Sequence, residues 1–282
     1  MKIIKIMLTL AAFPGISAFA LSQQEPKITI AVAADLKFAM DSIVTSYKAQ
    51  NPESDIEVTY GSSGKFFEQI SNGAPYDLFF SADIDYPMQL KNKGLTLGIV
   101  KTYGIGQIVL WSKKTDPNTE QMQTLLDAGI GKIAVANPAH APYGKRAEES
   151  LRYYKLYDQV KDKLVFGENI SQTAQYVTTG AADIGIVALS LAVSPAMKKE
   201  GGKYYLIPER SHSPLEQAYS LLKHSAGNST ASKFYNFISS PTAVSILKYF
   251  GFSQTRHESV KRKHCRNTFQ RRLIAGKSKG FK

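Results

Sequence analysis

Short apolar runs alternate with longer amphipathic segments between residues 27 and 252. The apolar runs are rich in β-branched residues, which predicts strands at 27–33, 55–60, 76–82, 105–112, 132–137, 163–166, 183–188, 203–207 and 217–223. The amphipathic segments have a helical period, which predicts helices at 36–50, 64–72, 84–93, 121–128, 144–157, 170–179, 229–239 and 241–249. Ser240 and Pro241 fit the cap and first position of the last helix.

Strands separated by helices of this length predict βαβ units, and therefore an α/β fold with mainly parallel sheets flanked by helices. The body of the chain exceeds one such set of layers, so we expect two lobes joined by short crossovers near 103–107 and 208–217. Residues 21–105 plus 216–252 would form lobe I, and residues 106–215 would form lobe II. Ligands of open α/β sheets bind outside the carboxyl ends of the strands, which makes the cleft between the lobes the predicted site.

The first twenty residues fit an export signal. Lys2 and Lys5 precede an apolar run at 6–16, and the sequence Ala18-Phe19-Ala20 fits a small-x-small cleavage site. The run is short for a membrane span. We therefore predict export, with cleavage near Ala20.

The formal net charge of +12 lies mainly at the two ends of the chain. Residues 253–282 contain ten Lys or Arg against one acid, Glu258, which leaves the body nearly neutral. This segment fits a disordered extension, the interpretation we favour, or a contact with nucleic acid or anionic lipid. The single cysteine, Cys265, lies in the same tail, so the body can form no disulfide.

Four loops at predicted strand ends are rich in polar residues and lead into helices: 33–37, 60–65, 137–149 and 167–176. First-turn N–H groups have no partner within the helix, and the helix dipole is positive at this end, so such loops suit anions. Ser62 and Ser63 add hydroxyl donors in the second loop, and Tyr143 could turn a phenol towards the cleft. A plain N-cap and an aromatic packed beneath its loop are the structural alternatives.

Sequence signatures of catalysis are missing from the body. It has no G-x-S-x-G or H-E-x-x-H motif and no Cys/His cluster, and His140, His212 and His224 are isolated along the chain. We therefore expect surface or capping roles for these histidines, and we predict a binding protein that is not an enzyme and needs no cofactor.

Three blocks resemble the periplasmic molybdate-binding proteins, the solute receptors of molybdate ABC importers: AVAADLKFAM, YGSSGKFFEQISNGAPYDLFFSAD and IAVANPAHAPYGKRAEESL. The similarity runs in order from about residue 27 to residue 252. It implies a two-lobed periplasmic-binding-protein fold of type II that closes on molybdate or tungstate through neutral donors. It also implies a periplasmic monomer that docks on an inner-membrane ABC permease and has no nucleic-acid partner.

Carried over by position, the resemblance implies oxyanion contacts at Asp35, Ser62, Ser63, Tyr143, Ile170 (through its backbone N–H) and Ala188. Asp35 stands where many relatives have Ser or Asn, and a carboxylate facing a dianion in a dry site would repel it. We therefore expect Asp35 to turn away and cap the helix at 36–50, with Lys37 offsetting its charge. Ala188 stands where some relatives have tyrosine, and Tyr143 would supply the missing phenol.

The main alternative is a binding protein for another tetrahedral oxyanion, phosphate or sulfate, and Asp35 discriminates between these two. Phosphate keeps a proton near pH 7 and gains from an acceptor, whereas molybdate and sulfate offer no proton. A carboxylate that points into the cleft would therefore favour phosphate. A secreted phosphoester or sulfoester hydrolase is a further alternative, although the sequence shows no convincing nucleophile, base or metal site for it.

Overall fold

The structure is a computed structural model that describes residues 26–253. The predicted export signal, the basic tail beyond residue 253 and Cys265 lie outside these residues. The strands are β1 Ile28–Ala33, β2 Ile56–Gly61, β3 Leu78–Ser81, β4 Thr96–Gly106, β5 Ile108–Ser112, β6 Ile133–Ala136, β7 Leu164–Gly167, β8 Ile184–Ala188, β9 Lys203–Leu206 and β10 Leu215–Leu222.

The helices occupy most of the predicted amphipathic segments. They are α1 Lys37–Lys48, α2 Ser63–Ser71, α3 Asp85–Asn92, α4 Pro142–Tyr153, α5 Tyr157–Val160, α6 Ile170–Thr178, α7 Leu189–Ala192, α8 Pro195–Lys199, α9 Ser229–Phe237 and α10 Pro241–Tyr249. The predicted start of the last helix is confirmed, because the Ser240 side chain accepts a hydrogen bond from the Ala243 N–H. No helix in the 26–253 range is long and apolar enough to cross a bilayer.

Within the described residues the strands form two five-stranded sheets, with the orders β2-β1-β3-β10-β4 and β7-β6-β8-β5-β9. In the first sheet β1 pairs in parallel with β2 and β3, and β10 runs antiparallel to β3 and β4. In the second sheet β6 is parallel to β7 and β8, and β5 is antiparallel to β8 and β9. The sheets are therefore mixed, with the parallel pairs on one side of each.

The chain leaves the first sheet after Gly106, enters the second at Ile108, and returns at Leu215. The first of these crossovers lies between β4 and β5. The sequence pattern predicts a single strand at 105–112, which covers the end of β4 and all of β5. The earlier part of β4 is half exposed and lacks a clear alternation, which explains why it was missed. The segment predicted as a helix at 121–128 is a 3₁₀ helix, Gln121–Leu126.

Buried apolar side chains form a core in each lobe, and the core of the second lobe continues into the first. Ala33, Ala34 and Ala82 of the first lobe belong to the same buried cluster as Tyr143 and Ile170 of the second. The lobes therefore touch through small residues at the carboxyl ends of β1 and β3. This contact brings the helix N-termini of both lobes to one place.

Candidate functional site

A small cavity lies where the lobes meet. Its lining comes from the loop ends of both lobes: Ala33, Ala34, Asp35, Gly61, Ser62, Ser63, Ala82, Ala141, Pro142, Tyr143, Asn169 and Ile170. All four polar loops singled out in the sequence thus contribute to one cavity. Asp35 is the one ionisable carboxyl in this lining, and the lining contains no Lys or Arg.

Helix caps determine which N–H groups at the cavity are free to bind a ligand. The Asn169 side chain caps α6 by accepting from the N–H groups of Ser171 and Gln172, which leaves the Ile170 N–H as the uncapped first-turn donor. In α2 the Gly64 N–H donates to the His140 carbonyl at 2.9 Å, so the Ser63 N–H is the first-turn donor beside the cavity.

The N-terminus of α4 adds a third donor. Pro142 occupies the first position and has no N–H, and Tyr143 follows it with a first-turn N–H. Ser63, Tyr143 and Ile170 thus line the cavity from three helices and both lobes, and each is a first-turn residue of its helix. Each helix also presents the positive end of its dipole, so the site favours an anion without any cationic side chain.

Ser63 and Ser62 have different hydrogen-bond roles. The Ser63 hydroxyl accepts from the Ala82 N–H at 3.0 Å, an arrangement that leaves its own proton available to a ligand. The Ser62 hydroxyl lies 3.0 Å from His140 Nδ1. Glu168 lies 3.7 Å from His140 Nε2, on the far side of the ring. Ser62 thus ties the two lobes together.

Asp35 does not cap the helix, so that prediction is wrong. No side chain caps the 3₁₀ turn at Ala34–Leu36 or the start of α1. The Asp35 side chain is instead 1% exposed, and its Oδ2 accepts from the Tyr143 hydroxyl at 3.0 Å and from Gln217 Nε2 at 2.9 Å. Lys37 does not offset its charge either, because it pairs with Asp41 on the exposed side of α1.

Gln217 organises a buried network that sequence reasoning missed. Its Nε2 donates to Asp35 and to the Tyr143 hydroxyl, both at 2.9 Å, and its Oε1 accepts from the Tyr103 hydroxyl at 2.5 Å. A Cβ on Gly106 would lie 2.4 Å from both Gln217 Nε2 and the Tyr143 hydroxyl, so this position needs glycine. The sequence gives no clear signal for Gln217, because Glu216 and Ser220 are polar residues of the same strand.

This network leaves one carboxylate oxygen of Asp35 without a partner. No described residue makes a hydrogen bond to Oδ1. Burial raises the pKa of Asp35 to about 7, and the donors on Gln217 and Tyr143 oppose that rise. The backbone N–H groups of Asp35 and Leu36 oppose it further, although neither makes a hydrogen bond of ordinary geometry to Oδ1.

The phenol of Tyr143 is committed within the protein. Its O–H donates to Asp35 and its oxygen accepts from Gln217. Burial and the charge of Asp35 raise the pKa of Tyr143 well above its ordinary value, so the phenol stays neutral. Ala188, the remaining candidate from the sequence, is fully buried but does not line the cavity. Its neighbour Ser190 donates to the Asp35 carbonyl at 2.8 Å.

Further contacts hold the lobes closed around the cavity. The Ser171 hydroxyl of lobe II donates to the Ala34 carbonyl of lobe I at 2.9 Å. Arg146, whose side chain is largely buried, reaches Asp83 across the interface at 3.4 Å, and Lys65 pairs with Glu168 at the rim. The small volume and these contacts describe a closed state.

Two other features of the molecule fit an anion poorly. A larger cavity lies between the start of α1 and helices α6 and α8, but its lining is mostly apolar and its charges, Lys37 and Glu200, have opposite sign. In the described part of the chain, no group of three or more His, Cys, Asp or Glu side chains could hold a metal ion.

Comparisons with known proteins agree with this geometry. The family model for bacterial extracellular solute-binding proteins matches residues 28–253. Molybdate-binding protein ModA of Rhodobacter capsulatus is 34% identical over 199 residues, which cover 70% of this chain and 77% of that protein. ModA of Azotobacter vinelandii is 32% identical over 239 residues, which cover 84% of this chain and 94% of that protein.

Among solved structures, the periplasmic molybdate-binding protein of Azotobacter vinelandii matches with a TM-score of 0.75 at 30% identity. The match covers 81% of this chain and 100% of that chain. The resemblance identified in the sequence and the two-lobed fold that it implied are thus confirmed.

Proposed function

The chain belongs to the bacterial extracellular solute-binding proteins, and from that premise we propose that it captures molybdate or tungstate between its lobes for an ABC importer. Its relatives named ModA bind molybdate, as their names state. One observation in this chain carries the proposal: uncommitted N–H groups from three helices and the Ser63 hydroxyl meet at one small, closed cavity.

The assignment of roles follows from which protons are free. Ser63 donates through both its hydroxyl and its N–H, and Tyr143 and Ile170 donate through their N–H groups. Ser62 contributes by holding the closed state through His140. Ala188 lies behind the site and acts through α7, where Ser190 fixes the Asp35 backbone.

Neutral donors suit a tetrahedral dianion for a physical reason. Each N–H or O–H replaces one hydrogen bond of the anion's water shell, and the low dielectric of a closed site strengthens these bonds. A cation such as Lys would bind more strongly but would also resist release. Because a transport protein must release its anion, neutral donors suit this role. We propose that the protein works as a periplasmic monomer that delivers its anion to an inner-membrane permease.

We also propose the lobe boundaries predicted from the sequence, with residues 21–105 and 216–252 in lobe I and residues 106–215 in lobe II. The positions at which the chain crosses between the sheets, after Gly106 and before Leu215, support this division. Residues 1–20 are proposed as a cleaved export signal. No partner is assigned to the basic tail, and nucleic acid is not proposed as a ligand.

Calorimetric titration of the mature chain with molybdate, tungstate, sulfate and phosphate tests the proposal. We expect one tight site for molybdate or tungstate and weak or no heat from sulfate and phosphate at the same concentration. Tight binding of phosphate without binding of molybdate would reject the proposal and favour an ionised Asp35 that accepts the phosphate proton. Turnover of phosphoesters above background would instead favour the hydrolase alternative.

A further inference from the structure

We propose that the Asp35 carboxyl meets the oxyanion as a protonated acid that donates from Oδ1, so that capture of the anion is coupled to uptake of one proton. This inference rests on the proposed function, because it concerns the same cavity and the same ligand. It assigns a specific chemical role to Asp35, the residue that stands where relatives are expected to have a neutral donor.

The hydrogen bonds within the protein leave one carboxyl oxygen of Asp35 for a ligand. Asp35 lines the cavity and is 1% exposed. Two donors, Tyr143 and Gln217, occupy Oδ2 and fix the orientation of the carboxyl group. Oδ1 has no hydrogen-bond partner among the described residues, so it is the oxygen left to interact with an occupant of the cavity.

Hydrogen-bond chemistry then requires a proton on this oxygen. A fully ionised tetrahedral anion offers only acceptors, and an ionised Oδ1 is also only an acceptor. Two acceptors in contact in a dry site repel each other and leave both without a donor. A proton taken up from water onto Oδ1 converts the carboxyl group into a donor, with Oδ2 still accepting from Tyr143 and Gln217.

The surroundings of Asp35 allow this protonation. Tyr143 of α4 and Gln217 of β10 contact the Asp35 carboxyl group directly. Tyr103 of β4 contacts Gln217, and backbone N–H groups of the turn that holds Asp35 also face its carboxyl group. No cation contributes to its pKa, which burial raises to about 7. Burial and the charge of Asp35 also raise the pKa values of Tyr103 and Tyr143 well above their ordinary values, so neither phenol ionises first.

The charged and titratable groups at the rim are engaged with one another. Lys65 and His140 both face Glu168, Arg146 faces Asp83 and Glu149, and Lys37 faces Asp41. A bound dianion raises the pKa of Asp35 further, because a nearby negative charge disfavours the carboxylate. Binding therefore strengthens as the pH falls towards 7 and weakens above it, where each binding event must bring a proton into the site.

The test is calorimetry with molybdate at pH 6, 6.5, 7, 7.5, 8 and 8.5, in two buffers that differ in ionisation enthalpy. For the native protein we expect uptake of about half a proton at pH 7, rising towards one at pH 8, because the carboxyl group of the free protein titrates near 7. The dissociation constant should rise about tenfold per pH unit above pH 7.5 and change little between pH 6 and 6.5.

Asp35→Asn provides the matched variant, because an asparagine can accept from Tyr143 and Gln217 through its carbonyl and donate into the cavity through its amide. We expect it to bind molybdate about as tightly as the native protein does at pH 6, with no proton uptake and no pH dependence. Asp35→Ala should bind more weakly at every pH. His140→Asn removes the imidazole that contacts Ser62, so it should weaken binding at every pH but keep the pH dependence.

The outcomes separate this inference from the proposed function. Absence of molybdate binding by the native protein at pH 6 rejects both. Tight binding that is independent of pH and of buffer rejects the protonated carboxyl and leaves the proposed function standing. Loss of binding in Asp35→Asn at pH 6, equal to that in Asp35→Ala and with a native melting curve, also rejects the protonated carboxyl.

Discussion

At the scale of single residues, the site depends on which protons are already used inside the protein. Ser62 and Ser63 are adjacent and chemically identical, yet one hydroxyl bonds to His140 and the other accepts from Ala82 and keeps its proton free. The serine pair and its glycines could be found in the sequence. The different hydrogen-bond roles of the two serines could not be found there, because they depend on His140 from the other lobe.

Ser63→Ala should weaken molybdate binding by ~1–3 kcal/mol, since it removes a donor to a buried charged acceptor. Calorimetry measures the change, and a melting curve confirms that the variant is folded. Ser232→Ala, an exposed serine on α9, is the matched control and should bind normally. Native affinity in Ser63→Ala would remove this side chain from the site.

Asp35 shows how far reasoning from residue type can reach. Repulsion between a carboxylate and a dianion was identified from the sequence, but the solution predicted there, a turn of the side chain towards the helix, was wrong. The structure instead buries Asp35 against Tyr143 and Gln217. Gln217 is 182 positions away in the chain, and no local pattern reports such a contact.

The stability of the ligand-free protein should report the same carboxyl group. Burial raises the pKa of Asp35 in the folded state to about 7 from an ordinary value of 3.8. Between these values the folded state holds a proton that the unfolded state has lost, so stability falls as the pH rises. The free energy of unfolding of the native protein, relative to Asp35→Asn, should fall by up to about 1.4 kcal/mol per pH unit from pH 4 to 7. Denaturant titrations at several pH values measure this difference, and a constant difference would contradict the raised pKa.

At the scale of elements, the working parts are helix N-termini placed at strand ends. The transitions from strand to helix at Ser63, Pro142 and Ile170 agree with the predicted loops to within about two residues. They were predictable because the apolar period changes there and because glycine, proline and asparagine mark the turns. The irregular, half-exposed β4 and the short helices α5, α7 and α8 gave no such periodic signal.

Ile170→Pro tests whether the backbone N–H of Ile170 binds the anion, because proline removes this N–H and leaves the helix α6 intact. Ile170 is the first residue of α6, a position that accepts proline, and Asn169 before it is already extended, as a residue before proline must be. We expect molybdate affinity to fall by about 1.5–3 kcal/mol, the usual contribution of a hydrogen bond to a charged group.

Two control variants separate the N–H from other effects of that change. Ile170→Ala keeps the N–H and shortens the side chain, so it should bind molybdate nearly as the native protein does. Ser229→Pro places proline at the first position of α9, away from the cavity, and should also bind normally. Equal affinity in Ile170→Pro and Ile170→Ala would show that the N–H does not contact the anion.

At the scale of the whole molecule, binding depends on closure of two lobes over one cavity. Gly64 lies at their contact, where its N–H donates to the His140 carbonyl. A Cβ at this position would lie 2.7 Å from that carbonyl oxygen and 2.9 Å from the His140 Cα. The three atoms nearest to this Cβ all belong to His140 of the second lobe, so the clash is one between the lobes.

Gly64→Ala should therefore leave each lobe folded but hold the lobes apart. We expect the clash to shift the equilibrium between open and closed lobes towards the open state by more than about 1.4 kcal/mol. The affinity for molybdate should then fall by more than about tenfold. Small-angle scattering at saturating molybdate should give a larger radius of gyration than that of the native complex. Gly131→Ala, where a Cβ makes an ordinary contact, is the control. A native scattering curve with native affinity would show that this contact does not govern closure.

The central claim is that uncharged donors from both lobes surround one oxyanion in the interlobe cavity, and a crystal structure of the molybdate complex tests it most directly. Anomalous scattering from molybdenum locates the ion without ambiguity. We predict that its oxygens lie about 3 Å from the Ser63 hydroxyl, from the N–H groups of Ser63, Tyr143 and Ile170, and from Asp35 Oδ1. An ion bound elsewhere, for example in the larger cavity beside Lys37 and Glu200, or one that contacts none of these donors, would contradict it.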